Sequence, residues 1–142
     1  MSPVVSLIGL GSNIEPELHL RWASHMLRRH FGSVRFSHVY RSPAIGMDGA
    51  DFLNACCLVQ AEIGLPDLKV LLKSWEDARG RDRSRGSWRP RTLDLDVLMH
   101  DGRIVDDELL QYAHAYVPAV ELVELPEVAM DVSCLHCVDL RL

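Results

Sequence analysis

Two aspartates separated by one residue are the side chains with the clearest chemical potential in this chain. Asp94 and Asp96 belong to the run of residues 93–97, in which leucine, aspartate, leucine, aspartate and valine alternate. Alternate side chains of a strand share a face, so the two carboxylates lie together, with their Cα atoms about 6.6 Å apart. Such a pair can hold one cation or two close ones, and oxygen ligands suit Mg²⁺. The spacing therefore predicts a magnesium site.

The segment before these aspartates is rich in arginine. Residues 79–91 contain six arginines and one aspartate, a net charge of +5 in a chain whose formal net charge is −5. A cationic segment in an otherwise acidic protein favours a local anionic ligand over general adhesion to nucleic acid or membrane. Guanidinium groups bind phosphate oxygens, so arginines beside a carboxylate pair fit a Mg²⁺-bound polyphosphate. The alternative for the arginines taken alone is a solvated charged face.

The hydrophobic pattern predicts the elements that hold these side chains. Strands are predicted at residues 4–10, 34–41, 52–63 and 93–97, and helices at residues 16–31 and 65–79. Asp101 and Gly102 predict a hairpin turn into a further short strand. The order βαββαβ predicts an α+β fold of the ferredoxin-like type, with a C-terminal hairpin and tail. Its mainly antiparallel sheet would carry both helices on one face and leave the other face open to ligands.

The strand at residues 52–63 carries a second pair of side chains that could bind a ligand. Its odd-numbered residues form an apolar face, which puts Phe52 and Asn54 together on the opposite face. An aromatic ring and a carboxamide on one face can stack on a flat heterocycle and hydrogen-bond its edge. The alternative is an aromatic residue at a strand end beside a turn-favouring asparagine.

Length and composition limit the class of protein. A chain of 142 residues with 48% hydrophobic and 25% charged residues is typical of one soluble globular domain, here residues 1–142. No apolar run approaches the roughly 20 residues that span a bilayer. The N-terminus lacks the basic and apolar regions of a signal peptide. We therefore expect a cytoplasmic monomer that binds neither nucleic acid nor membrane.

The four cysteines predict no metal site or disulfide. Cys56 and Cys57 are adjacent in a predicted strand, so they point to opposite faces. Cys134 and Cys137 have the spacing of a metal or redox pair, but no second pair completes a zinc site. We expect four reduced thiols.

Several motifs in order resemble those of the 6-hydroxymethyl-7,8-dihydropterin pyrophosphokinases of folate biosynthesis. The strongest is the run of residues 88–96, Trp-Arg-Pro-Arg-Thr-Leu-Asp-Leu-Asp. The others are Gly11-Ser12-Asn13, Tyr40-Arg41-Ser42-Pro43, Phe52-Leu53-Asn54-Ala55, and Glu76 ahead of Arg81 and Arg83. The resemblance extends over about residues 5–105.

The resemblance implies transfer of a pyrophosphoryl group from ATP to the hydroxymethyl group of a reduced pterin, with release of AMP. Attack on the β-phosphorus needs charge neutralisation and in-line alignment more than a covalent intermediate. By position, the implied catalytic residues are Arg81, Arg91, Asp94 and Asp96, with Asp94 and Asp96 binding two Mg²⁺ ions. The implied nucleotide contacts are Glu76, Arg83, Trp88, Arg91 and His114. The implied pterin contacts are Ser42, Pro43, Ile45, Phe52, Asn54 and Tyr116.

The resemblance ends at about residue 106. The family usually carries a Pro-His-Pro-like element followed by an arginine and a phenylalanine, whereas this chain has no arginine between Arg103 and Arg141. In an alignment with the family, His114 corresponds to the family's histidine. Tyr116 corresponds to its stacking phenylalanine if a gap is introduced. A non-catalytic or altered-substrate paralogue that still binds nucleotide or pterin is the alternative function. A small nucleic-acid-binding domain is a third reading, but the aromatic pattern of RNA-binding sheets is missing.

Overall fold

The computed structural model describes residues 2–44, 49–80 and 92–142. Within these ranges it contains seven strands and three helices. In chain order they are β1 (Val4–Ser12), α1 (Pro16–His30), β2 (Ser33–Phe36), β3 (Val39–Ser42), β4 (Phe52–Ala61), α2 (Leu65–Ala78), β5 (Asp94–His100), β6 (Arg103–Ile104), α3 (Ala113–Ala119) and β7 (His136–Val138). A 3-10 turn, Asp107–Leu110, precedes α3.

The strands form one antiparallel sheet in the order β6-β5-β1-β4-β3-β7, with β2 also paired to β4. The central strand β1 pairs with β4 on one side and β5 on the other. Its Gly11 lies opposite Asn54 of β4 and Asp94 of β5. The predicted α+β, ferredoxin-like fold is therefore confirmed, and its register brings both predicted ligand pairs to the middle of the sheet.

Helices α1 and α2 cover one face of the sheet, as predicted. Leucines at helical spacing give each helix one apolar side, because residues three and four apart share a face. These side chains pack with the inward residues of β4 and β5 in the main core: Leu20, Ala23, Leu27, Leu68, Leu72, Trp75, Leu53, Ala55, Cys57, Val59, Leu93, Leu95 and Val97. Pro16 stands at the start of α1, and Gly80, with φ +83°, follows the end of α2.

The single strand predicted at residues 34–41 is wrong, because the chain forms two strands separated by a bulge. Phe36 lies opposite Cys57, and Tyr40 lies opposite Asn54. The three residues between Phe36 and Tyr40 therefore lie opposite only two residues of β4. Ser37 holds the bulge: its N–H donates to the Cys56 carbonyl (2.9 Å), and its Oγ accepts from the Cys56 N–H (2.8 Å). The additional residue reverses the alternation beyond it.

The face opposite α1 and α2 is only partly open, which corrects the prediction of an open face. The 3-10 turn and α3 pack on it and form a second core of Leu7, Cys56, Leu98, Leu109, Ala115 and Ala119. The C-terminal tail also packs on the domain, because β7 pairs with the edge of β3 and Leu140 is buried in the main core. Among the residues described, no helix is long and apolar enough to cross a membrane.

The cysteines lie as the sequence predicted. Cys57 faces the main core and Cys56 the second core, on opposite sides of the sheet. Cys134 and Cys137 are exposed, and all four cysteines, which lie within the described residues, carry free thiols.

Candidate active site

Three carboxylates meet at the start of β5, beside the end of α2. Asp94 and Asp96 share a face of β5, and Glu76 reaches them from the last turn of α2, so that one oxygen of each lies within 4.8 Å of the others. Glu76 is only 3% exposed, and its carboxylate accepts a hydrogen bond from the Leu95 N–H (2.7 Å). Strand β6 pairs only with the far end of β5, so the Leu95 N–H is satisfied by this carboxylate rather than by a strand.

The electrostatics of this cluster favour a cation. Burial first, and then the neighbouring charges of Asp94 and Glu76, raise the pKa of Asp96 to about 8. Three carboxyl groups held this close repel one another when ionised, and a divalent cation would relieve the repulsion. The donors are all oxygen, which is the ligand set of Mg²⁺. The residues present therefore fit a magnesium site, and they include Glu76, which the sequence predicted as a nucleotide contact.

A cleft of about 330 Å³ lies on the sheet between these carboxylates and α3. Its floor contains Gly9 and Gly11 of β1. A Cβ placed on Gly9 would lie only 3.1 Å from the Leu98 side chain, so Leu98 covers this glycine. A Cβ placed on Gly11 would lie 3.5 Å from Asn54 Oδ1 and 3.8 Å from Phe52, which is ordinary contact distance. Neither glycine was predicted as a site residue, although their alternate spacing on the central strand was the available signal.

Four of the predicted pterin contacts line this cleft: Ser42, Pro43, Phe52 and Asn54. The Asn54 side-chain N–H₂ donates to Ser42 Oγ (2.8 Å) and to the Tyr40 carbonyl (3.3 Å). These two acceptors fix the orientation of the buried amide. Ile45 lies outside the described residues.

The C-terminal helix supplies the opposite wall of the cleft. His114 lines it, and its ring stacks on Tyr112 with centroids 5.3 Å apart. Burial lowers the pKa of His114, although the charge of Asp94 opposes the shift. Tyr116 is not brought into the cleft, because its hydroxyl donates to the Pro126 carbonyl (2.7 Å) in the tail. Tyr112, which the sequence analysis did not single out, lines the cleft instead.

A second concavity, a groove of about 560 Å³, lies on the other side of the carboxylates. It shares Asp94, Asp96 and Glu108 with the cleft. Glu76 and both lysines of the chain, Lys69 and Lys73, line its α2 side. The carboxylate cluster therefore stands between a cleft of mixed polarity and a charged groove.

Residues of β1 and α1 contact Arg79, at the start of the arginine segment, and Thr92, which follows it. The Ser12 hydroxyl donates to the Thr92 carbonyl (2.5 Å) at one end. At the other, Arg79 donates to His19 Nδ1 (3.1 Å), and its guanidinium lies 4.8 Å from the centre of the Trp22 ring. The predicted site residues between these ends, Arg81, Arg83, Trp88 and Arg91, lie outside the described residues.

Comparison with known proteins identifies relatives along most of the chain. The family model of 7,8-dihydro-6-hydroxymethylpterin-pyrophosphokinase (HPPK) matches residues 7–129. The 2-amino-4-hydroxy-6-hydroxymethyldihydropteridine pyrophosphokinase of Methylorubrum extorquens is 39% identical over 130 residues, 87% of this chain and 82% of the relative. The enzymes of the same name from Synechocystis sp. and Haemophilus influenzae are 36% and 33% identical, over 89% and 90% of this chain and 67% and 83% of the respective relatives.

Proposed function

The chain belongs to the 7,8-dihydro-6-hydroxymethylpterin-pyrophosphokinase family, and from this premise we propose how its residues carry out the family's reaction. It is an ATP-dependent diphosphokinase of folate biosynthesis, which transfers pyrophosphate from ATP to the hydroxymethyl group of 6-hydroxymethyl-7,8-dihydropterin and releases AMP. The observation that carries the assignment of the site is the carboxylate cluster between the cleft and the groove, because a transfer between two substrates needs both beside one charge-neutralising centre.

The cleft is the pterin site in this proposal. Phe52 offers a ring for stacking on the flat heterocycle, and the fixed amide of Asn54, whose N–H groups bond to Ser42 and Tyr40, offers its oxygen as an acceptor to the edge. Ser42 and Pro43 complete this wall, and Ile45 joins them by resemblance alone. The glycine floor supports the assignment, because a planar bicyclic ring needs open space above the strand.

Asp94 and Asp96 are the proposed ligands of two Mg²⁺ ions, with Glu76 beside them. When bound, the ions would neutralise the charge of the triphosphate. The contribution of the chain itself is to keep the three carboxylates together before substrates bind. The hydrogen bond from Leu95 to Glu76 supports this role, because it fixes the one member of the cluster that comes from a helix.

The groove beside Glu76 is the proposed ATP site, and His114 is a proposed contact from the cleft side. From the resemblance we also assign catalytic roles to Arg81 and Arg91 and contacts over ATP to Arg83 and Trp88. Their cationic groups are needed chiefly as charge develops on the phosphates. We further propose that the protein works as a monomer in the cytoplasm, without a nucleic-acid or membrane partner.

The decisive experiment measures AMP production from ATP, with and without 6-hydroxymethyl-7,8-dihydropterin, in Mg²⁺ and in excess chelator. AMP that requires both the pterin and Mg²⁺ is expected. A folded protein that binds pterin or ATP but forms no AMP would instead support the non-catalytic paralogue. The chain has no arginine between Arg103 and Arg141, so a variant with an arginine introduced there would then be tested first.

A further inference from the structure

Glu121, just after α3, joins the C-terminal segment, residues 107–142, to the sheet through three hydrogen bonds. Its Oε2 accepts from the Tyr40 hydroxyl (2.5 Å). Its Oε1 accepts from the His38 backbone N–H (3.0 Å) and lies 2.7 Å from Nδ1 of the His38 ring. The partners belong to the bulge and to β3, more than 80 residues earlier in the chain.

Tyr40, one of the two residues that bond to Glu121, also contacts a residue that lines the pterin cleft. The Tyr40 carbonyl accepts a hydrogen bond from the amide of Asn54, and the same amide donates to Ser42. Tyr40 thus faces Glu121 with its side chain and Asn54 with its main chain. A change in the position of Tyr40 would be transmitted directly to the amide of Asn54.

Helix α3 packs on the second core through Ala115 and Ala119. It is only seven residues long, and its buried residues are Ala115, Pro118 and Ala119. Short helices are marginal without tertiary contacts, and small side chains bury little apolar area. The carboxylate of Glu121 adds a polar link between the sheet and the C-terminal end of α3, whose other end carries His114 into the cleft.

We propose that Glu121 is a positioning residue of the pterin cleft. Its carboxylate fixes Tyr40 and α3 relative to each other, and thereby sets both the orientation of the Asn54 amide and the distance between the two walls of the cleft. The proposal rests on the assignment of this cleft to the pterin, and it adds a residue that touches neither substrate nor metal.

The charge state of the carboxylate agrees with this role. Burial by itself would raise the pKa of Glu121, but the hydrogen bonds from Tyr40 and His38 outweigh it and hold that pKa below the usual glutamate range. The group is ionised at neutral pH, so its hydrogen bonds are charge-assisted, and solvent screens them because they lie at the surface.

The test compares Glu121→Ala and Tyr40→Phe with the matched control Glu124→Ala, which removes the same charge from another exposed position three residues later. Pterin affinity is measured by calorimetry, and kcat and KM by AMP release. We expect about a tenfold loss of pterin affinity in Glu121→Ala, a smaller loss in Tyr40→Phe and none in Glu124→Ala. The kcat at saturating pterin should change less than about twofold, because the carboxylates on β5 are not held by Glu121.

Amide hydrogen exchange provides a readout that does not depend on the pterin. Removal of Glu121 should speed exchange at His38 and along α3, while the β1–β4 pairs stay protected. Unchanged exchange, or equal losses of affinity in the Glu121 and Glu124 variants, would overturn the proposal. If the wild-type protein bound no pterin, the proposed function would fail, whereas the exchange experiment would still decide whether Glu121 fixes α3.

Discussion

The strand residues that line the cleft, called the sheet site below, form one of its walls, and the C-terminal segment, residues 107–142, forms the other. The two walls are built in different ways. In the sheet site, Gly11 of the central strand lies between Asn54 and Asp94 on its two neighbours, and backbone pairing fixes all three. In the C-terminal segment, a seven-residue helix and a tail are held by contacts with distant residues, such as Glu121 with Tyr40.

Because of this difference, substitutions in the two walls should have different consequences. Backbone pairing places the side chains of the strands, so substitutions there should alter reactivity or ligand space more than the local stability. The C-terminal wall depends on a few polar contacts, so substitutions there should alter the fit of the ligand and the local stability together.

The largest effect is expected for Asp96→Asn. The change keeps the shape of the side chain but removes a carboxylate from the cluster, so Mg²⁺-dependent turnover should fall by about a thousandfold or more. The thermal midpoint of the metal-free protein should not fall, because three crowded carboxylates become two. Asp101→Asn, the same change in the exposed turn at the end of the same strand, should leave both quantities unaltered. Normal turnover in Asp96→Asn would contradict the assignment of Asp96 as a Mg²⁺ ligand.

Next in size is the effect of Gly11→Ala on pterin affinity. The new methyl group fits the protein, since its nearest neighbour is Asn54 Oδ1 at 3.5 Å, but it occupies the floor of the cleft. We expect pterin to bind about tenfold or more weakly, with little change in the thermal midpoint. Gly32→Ala, where no atom lies within 4 Å, is the control. Equal pterin affinity in the two variants would show that the ligand does not lie over the floor.

The sheet site was predictable because its information is local. Side chains two residues apart on a strand must share a face, so the pairs Asp94 with Asp96 and Phe52 with Asn54 followed from spacing alone. The helices followed from apolar residues three and four apart. Which strands would be neighbours came from the order of the elements, and the observed pairing of β1 with β4 and β5 agrees with it.

The C-terminal wall was not predictable from local pattern, because long-range contacts decide it. The bulge at Ser37 leaves no periodic signal, yet it reverses the face on which the following residues lie. Tyr116 and Tyr112 are both aromatic residues near α3, and only packing decides that Tyr112 lines the cleft while Tyr116 bonds to the tail. The bond between Glu121 and Tyr40 joins two residues that nothing in the sequence relates.

Ser12→Ala tests how firmly the sheet site holds the arginine segment. The buried hydroxyl donates to the Thr92 carbonyl, so its loss leaves that carbonyl without this partner and costs about 1 kcal/mol of unfolding free energy. We expect kcat to fall several-fold with little change in pterin affinity. Ser24→Ala is a matched control, because this buried hydroxyl donates to the Arg21 carbonyl within α1. Similar kinetics in both variants would mean that Ser12 contributes only stability.

The smallest effect is the pH dependence of the contact between Glu121 and Tyr40, measured as the difference in unfolding free energy between the wild type and Glu121→Gln. The pKa of Glu121 is lowered in the folded protein, so its contribution is fully present above the unfolded value of about 4.3 and is lost as pH falls through the folded pKa. Burial first, then the bond to Glu121, raise the pKa of Tyr40, so its contribution is lost as pH rises beyond about 10.

We therefore expect a difference of about 1 kcal/mol between pH 6 and 9 that declines on both sides, measured by urea unfolding at stepped pH. The His38 ring and the Cys137 thiol also face this pair. The series is repeated in a His38→Ala background, where the backbone N–H and the Tyr40 hydroxyl still bond to Glu121. A difference that stays constant down to pH 3 would show that the charge of Glu121 does not stabilise the C-terminal wall. The affinity effect of this residue would then have to come from its shape alone.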